Sequence, residues 1–191
     1  MENNLEDRTQ IADLINGWIH RDLGQWEPLR HLFHPDGIIE ITWFEGLFSE
    51  FVNGSMRMGK SDLRTKHLIG TPDITFNGNK AIVETNAVII GENVKLNLGC
   101  NVHNRFYDLA EKRHGVWKLL KRQSVYDMGT FTFPLGLVEI DQSLAAKYPR
   151  EYAALAYLLE KSGFPVNRVF ATRGSELEQA MKAQGQAWLN G

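Results

Sequence analysis

The feature that most constrains this chain is a run of four segments in which apolar residues occupy alternate positions. These segments are Lys66–Phe76, Lys80–Ile90, Val94–Tyr107 and Val116–Met128. Such alternation is typical of β-strands with one buried face. The turns at 77–79, 91–93 and 112–115 are too short to hold a crossover helix, so the strands must pair antiparallel. The Asn-Gly step in the first turn is also a strong hairpin signal.

The segment before these strands shows helical spacing instead. A helix is predicted over Leu5–Asp22, a second over Trp26–Phe33 and a third over Phe48–Met58, with a strand over Ile38–Phe44. The apolar stripe of the first helix consists of Ile11, Leu14, Ile15, Trp18 and Ile19. Helices followed by an antiparallel meander predict an α+β fold, in which the helices cover one face of the sheet.

The chain after residue 130 has a different character. Helices are predicted over Arg150–Lys161 and from Ser175, a plausible N-cap, to about Trp188. This part contains too few apolar residues for a core of its own. We therefore predict one domain over residues 1–130 and an arm over residues 131–191, which packs on that domain or on a neighbouring subunit.

Composition excludes several classes of function. The 21 lysines and arginines against 23 aspartates and glutamates give a net charge of −2, which does not suggest a nucleic-acid-binding face. The one cysteine, Cys100, excludes an internal disulfide framework and a multi-cysteine metal site. No apolar run is long enough for a transmembrane helix, and the acidic start at Met1–Asp7 is unlike a signal peptide. We expect a cytoplasmic protein without nucleic-acid or membrane partners and without a metal.

The segment Gly54–Ser61 matches the pattern G-x-x-x-x-G-K-[ST] of phosphate-binding loops. Such a loop needs a buried parallel strand before it and a long helix after it. The sequence predicts neither, because everything that follows is linked by hairpins. We interpret the segment as the end of a helix followed by a loop.

Histidines and strand faces give the remaining chemical signals. His31 and His34 share a spacing that can hold a metal, but no third ligand accompanies them, which favours a solvated helix face. His67 and His103 fall on strands, where a histidine is either a general base facing a cavity or a structural residue. The third strand has one apolar face and one polar face; the polar face carries Asn101 and His103. That pattern fits a solvated sheet or a sheet curved around a polar pocket.

Several motifs together resemble a known family. Asp22-Leu23-Gly24-Gln25-Trp26 is similar to the signature "Asp, three residues, Trp" of SnoaL-like proteins in the nuclear-transport-factor-like superfamily. Leu63–Gly70 resembles the segment around the catalytic histidine of scytalone dehydratases, and Glu50-Phe51-Val52 and Gly115–Lys118 match the same pattern. The resemblance covers residues 5 to 130.

The resemblance implies a cone-shaped barrel, in which a curved antiparallel sheet and N-terminal helices enclose a deep apolar pocket, with the C-terminal helical extension added. It also implies a cofactor-free Asp–His dyad with His67 as the general base and Asp22 as the residue that orients it. The position before Asp22, a tyrosine in scytalone dehydratases, is Arg21 here. We therefore expect a substrate other than scytalone. The enzymes that carry this dyad imply a trimer rather than a dimer.

We accordingly predict a dehydratase-type lyase or an isomerase that acts on a hydrophobic cyclic, polyketide-like or steroid-like compound. The alternatives are a non-catalytic small-molecule-binding protein of the same superfamily and an assembly module with a filled pocket. The predicted substrate-binding residues are His103, Asn101, Trp18, Trp26, Trp43, Phe51 and Tyr126. A homo-oligomer is expected because the apolar strand face around Leu98 and Val102 would otherwise be exposed.

Overall fold

A computed structural model describes residues 5–191, and residues 1–4, which begin the polar and acidic start at Met1–Asp7, lie outside it. Seven strands form one sheet in the order β2-β1-β7-β6-β5-β3, with β4 also paired to β5. The strands are β1 (Phe33–Ile41), β2 (Phe44–Leu47), β3 (Leu63–Ile69), β4 (Asp73–Asn77), β5 (Lys80–Asn93), β6 (Leu98–Arg113) and β7 (Val116–Thr132). The helices are α1 (Leu5–Asn16), α2 (Ile19–Asp22), α3 (Trp26–Arg30), α4 (Phe48–Met58), α5 (Gln142–Ala145), α6 (Ala153–Lys161) and α7 (Glu176–Asn190).

The predicted α+β fold is confirmed: the sheet is strongly curled, and helices from both ends of the chain pack on it. Strands β5, β6 and β7 form the antiparallel meander that the short connections required. Gly78 turns the first hairpin with φ +58°, and His114 and Gly115 turn the last with φ +52° and +81°. Strand β1 pairs parallel with β7, a long-range contact that hairpin signals could not indicate.

Several strand boundaries differ from the prediction, including those of β1, which begins at Phe33, and of β6, which begins at Leu98. The segment Lys66–Phe76 is divided into β3 and β4, because Gly70-Thr71-Pro72 interrupts it, and both pieces pair with β5. Residues 91–93 continue β5 rather than forming a turn. The chain turns later, before β6, where Asn97 has a φ of +52°.

The predicted first helix is broken. After α1 the hydrogen bonds shorten to the i→i−3 type, as from Trp18 N–H to the Ile15 carbonyl (3.2 Å) and from Arg21 N–H to the Trp18 carbonyl (3.0 Å). This tightening rotates the last turn. Ile19, which the helical stripe placed in the core, is 53% exposed as a result.

Two groups of helices cover the concave face of the sheet. α1 and α4 cover one half of it, where they pack on Phe106 and Ala110 of β6. α6 covers the other half, where it packs on Leu98, Cys100 and Val102. The apolar strand face that motivated the oligomer prediction is therefore covered within the chain, and the oligomeric state stays a prediction without that argument.

The chain then passes from the concave face to the outer face. Backbone hydrogen bonds join Tyr126 of β7 to Ala171 (2.9 Å) and Arg173 (3.0 Å), so this segment occupies the edge of β7 beyond the end of β1. α7 follows on the outer face, where Met181 contacts the cluster of Tyr107 and Val125. Over residues 5–191 we find no helix long and apolar enough to cross a membrane.

Candidate functional site

The local fold brings Asp22 and His67 together. Asp22 is the last residue of α2, which ends because Gly24 follows in the left-handed region with φ +65°. His67 lies on β3, two residues after Thr65, so both of these side chains point to the concave face. α2 packs on β3 at this point, and the two side chains meet although 45 residues separate them.

Two short hydrogen bonds join His67 to Asp22. The Nδ1–H group of His67 donates to Asp22 Oδ1 at 2.7 Å, and the backbone N–H of His67 donates to Asp22 Oδ2 at 2.6 Å. The two side chains are 7% and 8% exposed. Because Asp22 occupies Nδ1, the imidazole presents Nε2 to its surroundings.

Burial and charge set the protonation of this pair. Burial lowers the pKa of His67 despite the hydrogen bond to Asp22, and the charge of Arg21 lowers it further. Burial alone would raise the pKa of Asp22, but the hydrogen bonds from His67 and the charge of Arg21 prevail, so this pKa lies below its ordinary value. At neutral pH the carboxylate of Asp22 therefore accepts a hydrogen bond from the neutral imidazole of His67.

His67 borders a small cavity of about 40 Å³. Its lining is mainly apolar, with a few hydroxyl groups, and consists of Trp18, Arg21, Ile41, Thr42, Trp43, Met58, Thr65, His67, Ile89, Phe106, Ser124, Tyr126, Leu155 and Leu159. Ordinary ligand pockets measure roughly 300–1,000 Å³, whereas this space holds only a few water molecules. A substrate of the expected size therefore requires the walls to move.

Arg21 is the charged residue of that lining and is buried. It donates from Nη1 to Thr65 Oγ1 at 2.5 Å and from Nη2 to Met58 Sδ at 3.4 Å. Its Nη1 lies 3.7 Å from Asp22 Oδ1, too far for a hydrogen bond but close enough for attraction between the charges. The residue thus ties α2 to β3 beside the Asp–His pair.

A second buried charge lies under Trp18. Arg122 of β7 makes a two-pronged ion pair with Asp108 of β6 at 2.7 and 2.8 Å. Its guanidinium carbon is 4.5 Å from the ring centre of Trp18 and 4.1 Å from that of Phe106. Its Nη1 has no hydrogen-bond partner within residues 5–191. This pair supports two of the aromatic residues that line the cavity.

The predicted aromatic wall residues have different positions. Trp18, Trp43 and Tyr126 line the cavity. Phe51 is fully buried behind it and stacks on Trp18, with ring centres 5.6 Å apart. Trp26 borders a separate open cleft on the other side of α2.

The predicted role of His103 and Asn101 beside His67 does not hold. Val102, between them on β6, pairs with Ile89, which pairs with His67, so Val102 is the residue that shares the face of His67. Asn101 and His103 point to the outer face, and His103 is exposed. A bulge at Asp127 of β7 does not change this alternation in β6.

The cavity also contains residues that sequence reasoning missed. Leu155 and Leu159 of α6 close it from the arm. Their spacing of four residues predicted a helix with an apolar stripe, but not the surface that the stripe covers. Gly54–Met58 is the end of α4, as interpreted. The prediction of a solvated helix face for His31 and His34 is wrong for His34, which is a buried residue of β1 whose Nε2 lies 2.9 Å from the Glu111 carbonyl oxygen. The structure groups no three potential metal ligands anywhere in its described residues.

Comparison with known proteins identifies the fold and the family. A candidate scytalone dehydratase from Novosphingobium aromaticivorans superposes with a TM-score of 0.58 at 22% identity, over 71% of this chain and 97% of that one. The LinA-type3 hexachlorocyclohexane dehydrochlorinase from Novosphingobium barchaimii gives 0.61 at 19% identity, over 72% and 97%. At these identities the similarity concerns the fold.

Sequence relatives are less informative about activity. An uncharacterized protein of Emericella nidulans, AN9274, is 30% identical over 93 residues, which are 46% of this chain and 39% of that protein. This chain spans well under half the length of the curated relatives that it matches. The profile of the SnoaL-like domain, in contrast, matches residues 3–123, more than half of the chain, and this protein therefore belongs to the SnoaL-like family.

Proposed function

We propose that this protein is a cofactor-free lyase or isomerase that acts on a hydrophobic cyclic small molecule, with His67 as the general base. The observation that carries the proposal is the Asp22–His67 pair, which holds a neutral imidazole with Nε2 available at an apolar cavity. Membership of the SnoaL-like family, and the similarity in fold to a candidate scytalone dehydratase and to a hexachlorocyclohexane dehydrochlorinase, are consistent with a small-molecule lyase or isomerase.

The chemistry follows from the tautomer. Nε2 of His67 removes a proton from a carbon next to an electron-withdrawing group, and Asp22 stabilises the imidazolium that forms. In an elimination, the electron pair of the broken C–H bond forms a double bond, and the leaving group departs with its own pair. The imidazolium then returns the proton to that group, which leaves as water or as an acid. In an isomerisation, the proton returns to another carbon.

The experiment is a turnover assay with a substrate found by screening hydroxylated or halogenated cyclic ketones for loss of water or acid. We expect His67→Ala to lower turnover by roughly 10²–10⁴-fold, the usual contribution of a general base. Asp22→Asn should also lower it, because the amide cannot stabilise an imidazolium. His103→Ala, on the outer face, is the matched control and should keep full activity. Equal activity of His67→Ala and wild type would exclude this function.

One observation favours the alternative of non-catalytic binding. The positive charge of Arg21 beside the pair lowers the pKa of His67, which makes the imidazole a weaker base. In that case a ligand would occupy the same cavity and leave it unchanged. A ligand that co-purifies and is recovered intact, with no turnover in the screen, would support this function.

A further inference from the structure

We propose that Arg21 is the anion-binding residue of the His67 cavity, and that the compound bound there presents an oxyanion to its guanidinium. This inference deepens the proposed function, on which it rests: the substrate is a carbonyl compound, and the oxyanion is the enolate that forms when His67 removes the neighbouring proton.

The first argument is the unused hydrogen-bonding capacity of Arg21. A guanidinium has five N–H donors. Within residues 5–191 the structure gives it one strong hydrogen bond, to Thr65 Oγ1, and one weak one, to the sulfur of Met58. Asp22 does not take the other donors, because its Oδ1 lies 3.7 Å from Nη1, beyond hydrogen-bond distance. A buried arginine of this kind still has N–H groups to offer to a ligand.

The second argument is position. Arg21 and His67 line the same cavity of about 40 Å³. When the walls move to admit a carbonyl compound, its acidic C–H at Nε2 and its oxygen at the guanidinium can be held by these two residues of the same lining. Arg122 lies behind Trp18 in the same region, and its charge lowers the pKa of His67 together with that of Arg21. The field that disfavours an imidazolium here favours an anion.

The third argument is access. An open cleft of about 370 Å³ lies on the other side of Arg21, between α2, the end of α4 and β3. Arg21, Met58 and Thr65 border both the cleft and the cavity, so they form the wall between them. Lys60 and Arg64 stand at the cleft and make it positive. A small oxyanion such as acetate can therefore reach the guanidinium of Arg21 from this side and serve as a probe for the oxygen of the enolate.

The electron balance of the step is simple. His67 Nε2 forms an N–H bond while the C–H bond next to the carbonyl breaks. The electron pair of that bond moves to form the C=C bond of the enolate, and the negative charge resides on oxygen. Arg21 stays protonated throughout and stabilises this charge electrostatically. The enolate then expels the leaving group or is reprotonated by the imidazolium.

The test uses acetate as a stable oxyanion and acetamide as its neutral counterpart of the same shape. Protein with isotope-labelled histidine is titrated with each, and the imidazole of His67 is followed by nuclear magnetic resonance. We expect acetate to bind saturably and to raise the pKa of His67, because it adds a negative charge nearby. Acetamide should leave the titration of His67 unchanged.

Substitutions of Arg21 and Arg64 test whether acetate binds at Arg21. Arg21→Gln should weaken acetate binding at least about tenfold, the usual loss for a hydrogen bond to a charged group. Arg64→Gln, at the open cleft, is the matched control and should weaken acetate binding much less than Arg21→Gln, because it removes only a more distant attraction between charges. Arg21→Lys keeps the charge and should retain weaker binding. If Arg21→Gln does not fold, the comparison of acetate with acetamide in wild type and in Arg21→Lys still decides.

Equal responses to acetate and acetamide, or undiminished acetate binding by folded Arg21→Gln, would overturn the proposal. A loss in Arg64→Gln as large as in Arg21→Gln would do so as well, since it would indicate general attraction to a positive surface. Binding is measured without turnover, so the two proposals fail separately. Acetate binding at Arg21 together with an active His67→Ala would exclude only the proposed function.

Discussion

The two halves of the concave face are covered by different kinds of contact. In the half under α1 and α4, aromatic rings stack closely: the ring centres of Phe33 and Phe48 are 3.6 Å apart, and those of Trp18 and Phe51 are 5.6 Å apart. In the other half, α6 itself contributes mainly aliphatic residues, among them Leu155 and Leu158, and one aromatic residue, Tyr157. His67 and its cavity lie at the seam, because Trp18 lines the cavity from one half and Leu155 from the other.

This difference indicates how the site is built. The N-terminal half holds the polar pair in place through rigid packing between neighbouring elements. The C-terminal half comes from a helix that follows the sheet in the chain and closes the space from outside. A cavity between the two halves can change its volume when α6 moves while α1 and α4 stay in place.

The largest expected effect comes from removing the C-terminal covering. Truncation after residue 134 would expose Leu98, Cys100 and Val102, which are buried under α6. We expect loss of cooperative thermal unfolding and aggregation, measured by calorimetry and light scattering. Truncation after residue 174 removes only α7 and should leave a folded protein with a lower Tm. An unchanged Tm of the shorter chain would mean that α6 is a peripheral attachment.

A pair of core truncations compares the two halves directly. Leu158 of α6 and Ile15 of α1 are both fully buried. Leu158→Ala and Ile15→Ala should each lower the free energy of unfolding by about 2–5 kcal/mol, as measured by urea denaturation. Leu135→Ala is the control, since Leu135 is 88% exposed and should change stability by less than about 0.5 kcal/mol. A loss for Leu158→Ala as small as for this control would show that the two coverings are not equivalent.

A smaller effect is expected where α7 docks on the outer face. A Cβ atom at Gly185 would clash with the hydroxyl oxygen of Tyr107 and would lie 2.8 Å from its ring. Gly185→Ala should therefore destabilise the protein by about 1–3 kcal/mol, although alanine is the better helix former by about 1 kcal/mol. A second change, Tyr107→Leu, should recover part of the loss. Higher stability of the single variant would contradict this contact.

The smallest effect concerns the pH dependence of stability. The pKa of His67 is lower in the folded protein, so the unfolded chain binds more protons as the pH falls below the ordinary value of about 6.5. The contribution of His67 to the free energy of unfolding is therefore complete above that pH. Below it, the free energy of unfolding decreases by about 1.4 kcal/mol for each pH unit, until the pKa of His67 in the folded protein is reached. The lowered pKa of Asp22 adds a further loss below about pH 4.

Urea denaturation between pH 5 and pH 8 measures this dependence. His67→Gln should flatten the decrease below pH 6.5, whereas His103→Gln, on the exposed outer face, should keep the wild-type profile. If His67→Gln retained the full decrease, burial of His67 would not be its source.

Much of the fold could be predicted because its signals are local. Alternation of apolar residues and an Asn-Gly turn indicate hairpins without any knowledge of distant contacts, and β5, β6 and β7 follow this prediction. The parallel pairing of β1 with β7 has no local signal. The break after α1 escaped detection as well, because the apolar spacing continues through Trp18 and Ile19 while the hydrogen bonding changes.

The candidate site shows the same division. Asp22 and His67 were predicted from motifs that resemble a family, and the structure brings them to 2.7 Å. His103 and Asn101 were placed at the site because a polar strand face can line a pocket or face solvent, and alternation alone does not say which face is concave. Curvature decides that, and it depends on the helices that fill one side.

The sequence by itself determined the α+β class and the meander, because strand period and turn residues are local properties, whereas the pairing of Asp22 with His67 was implied by the resemblance to a family. Only the tertiary structure decided that α6 closes the cavity, that Arg21 lies in its wall and that the polar face of β6 points outward. These features depend on which surfaces meet when the sheet curls and the chain after β7 returns over it. Such contacts join residues far apart in the chain, and no periodic pattern within either segment specifies its partner.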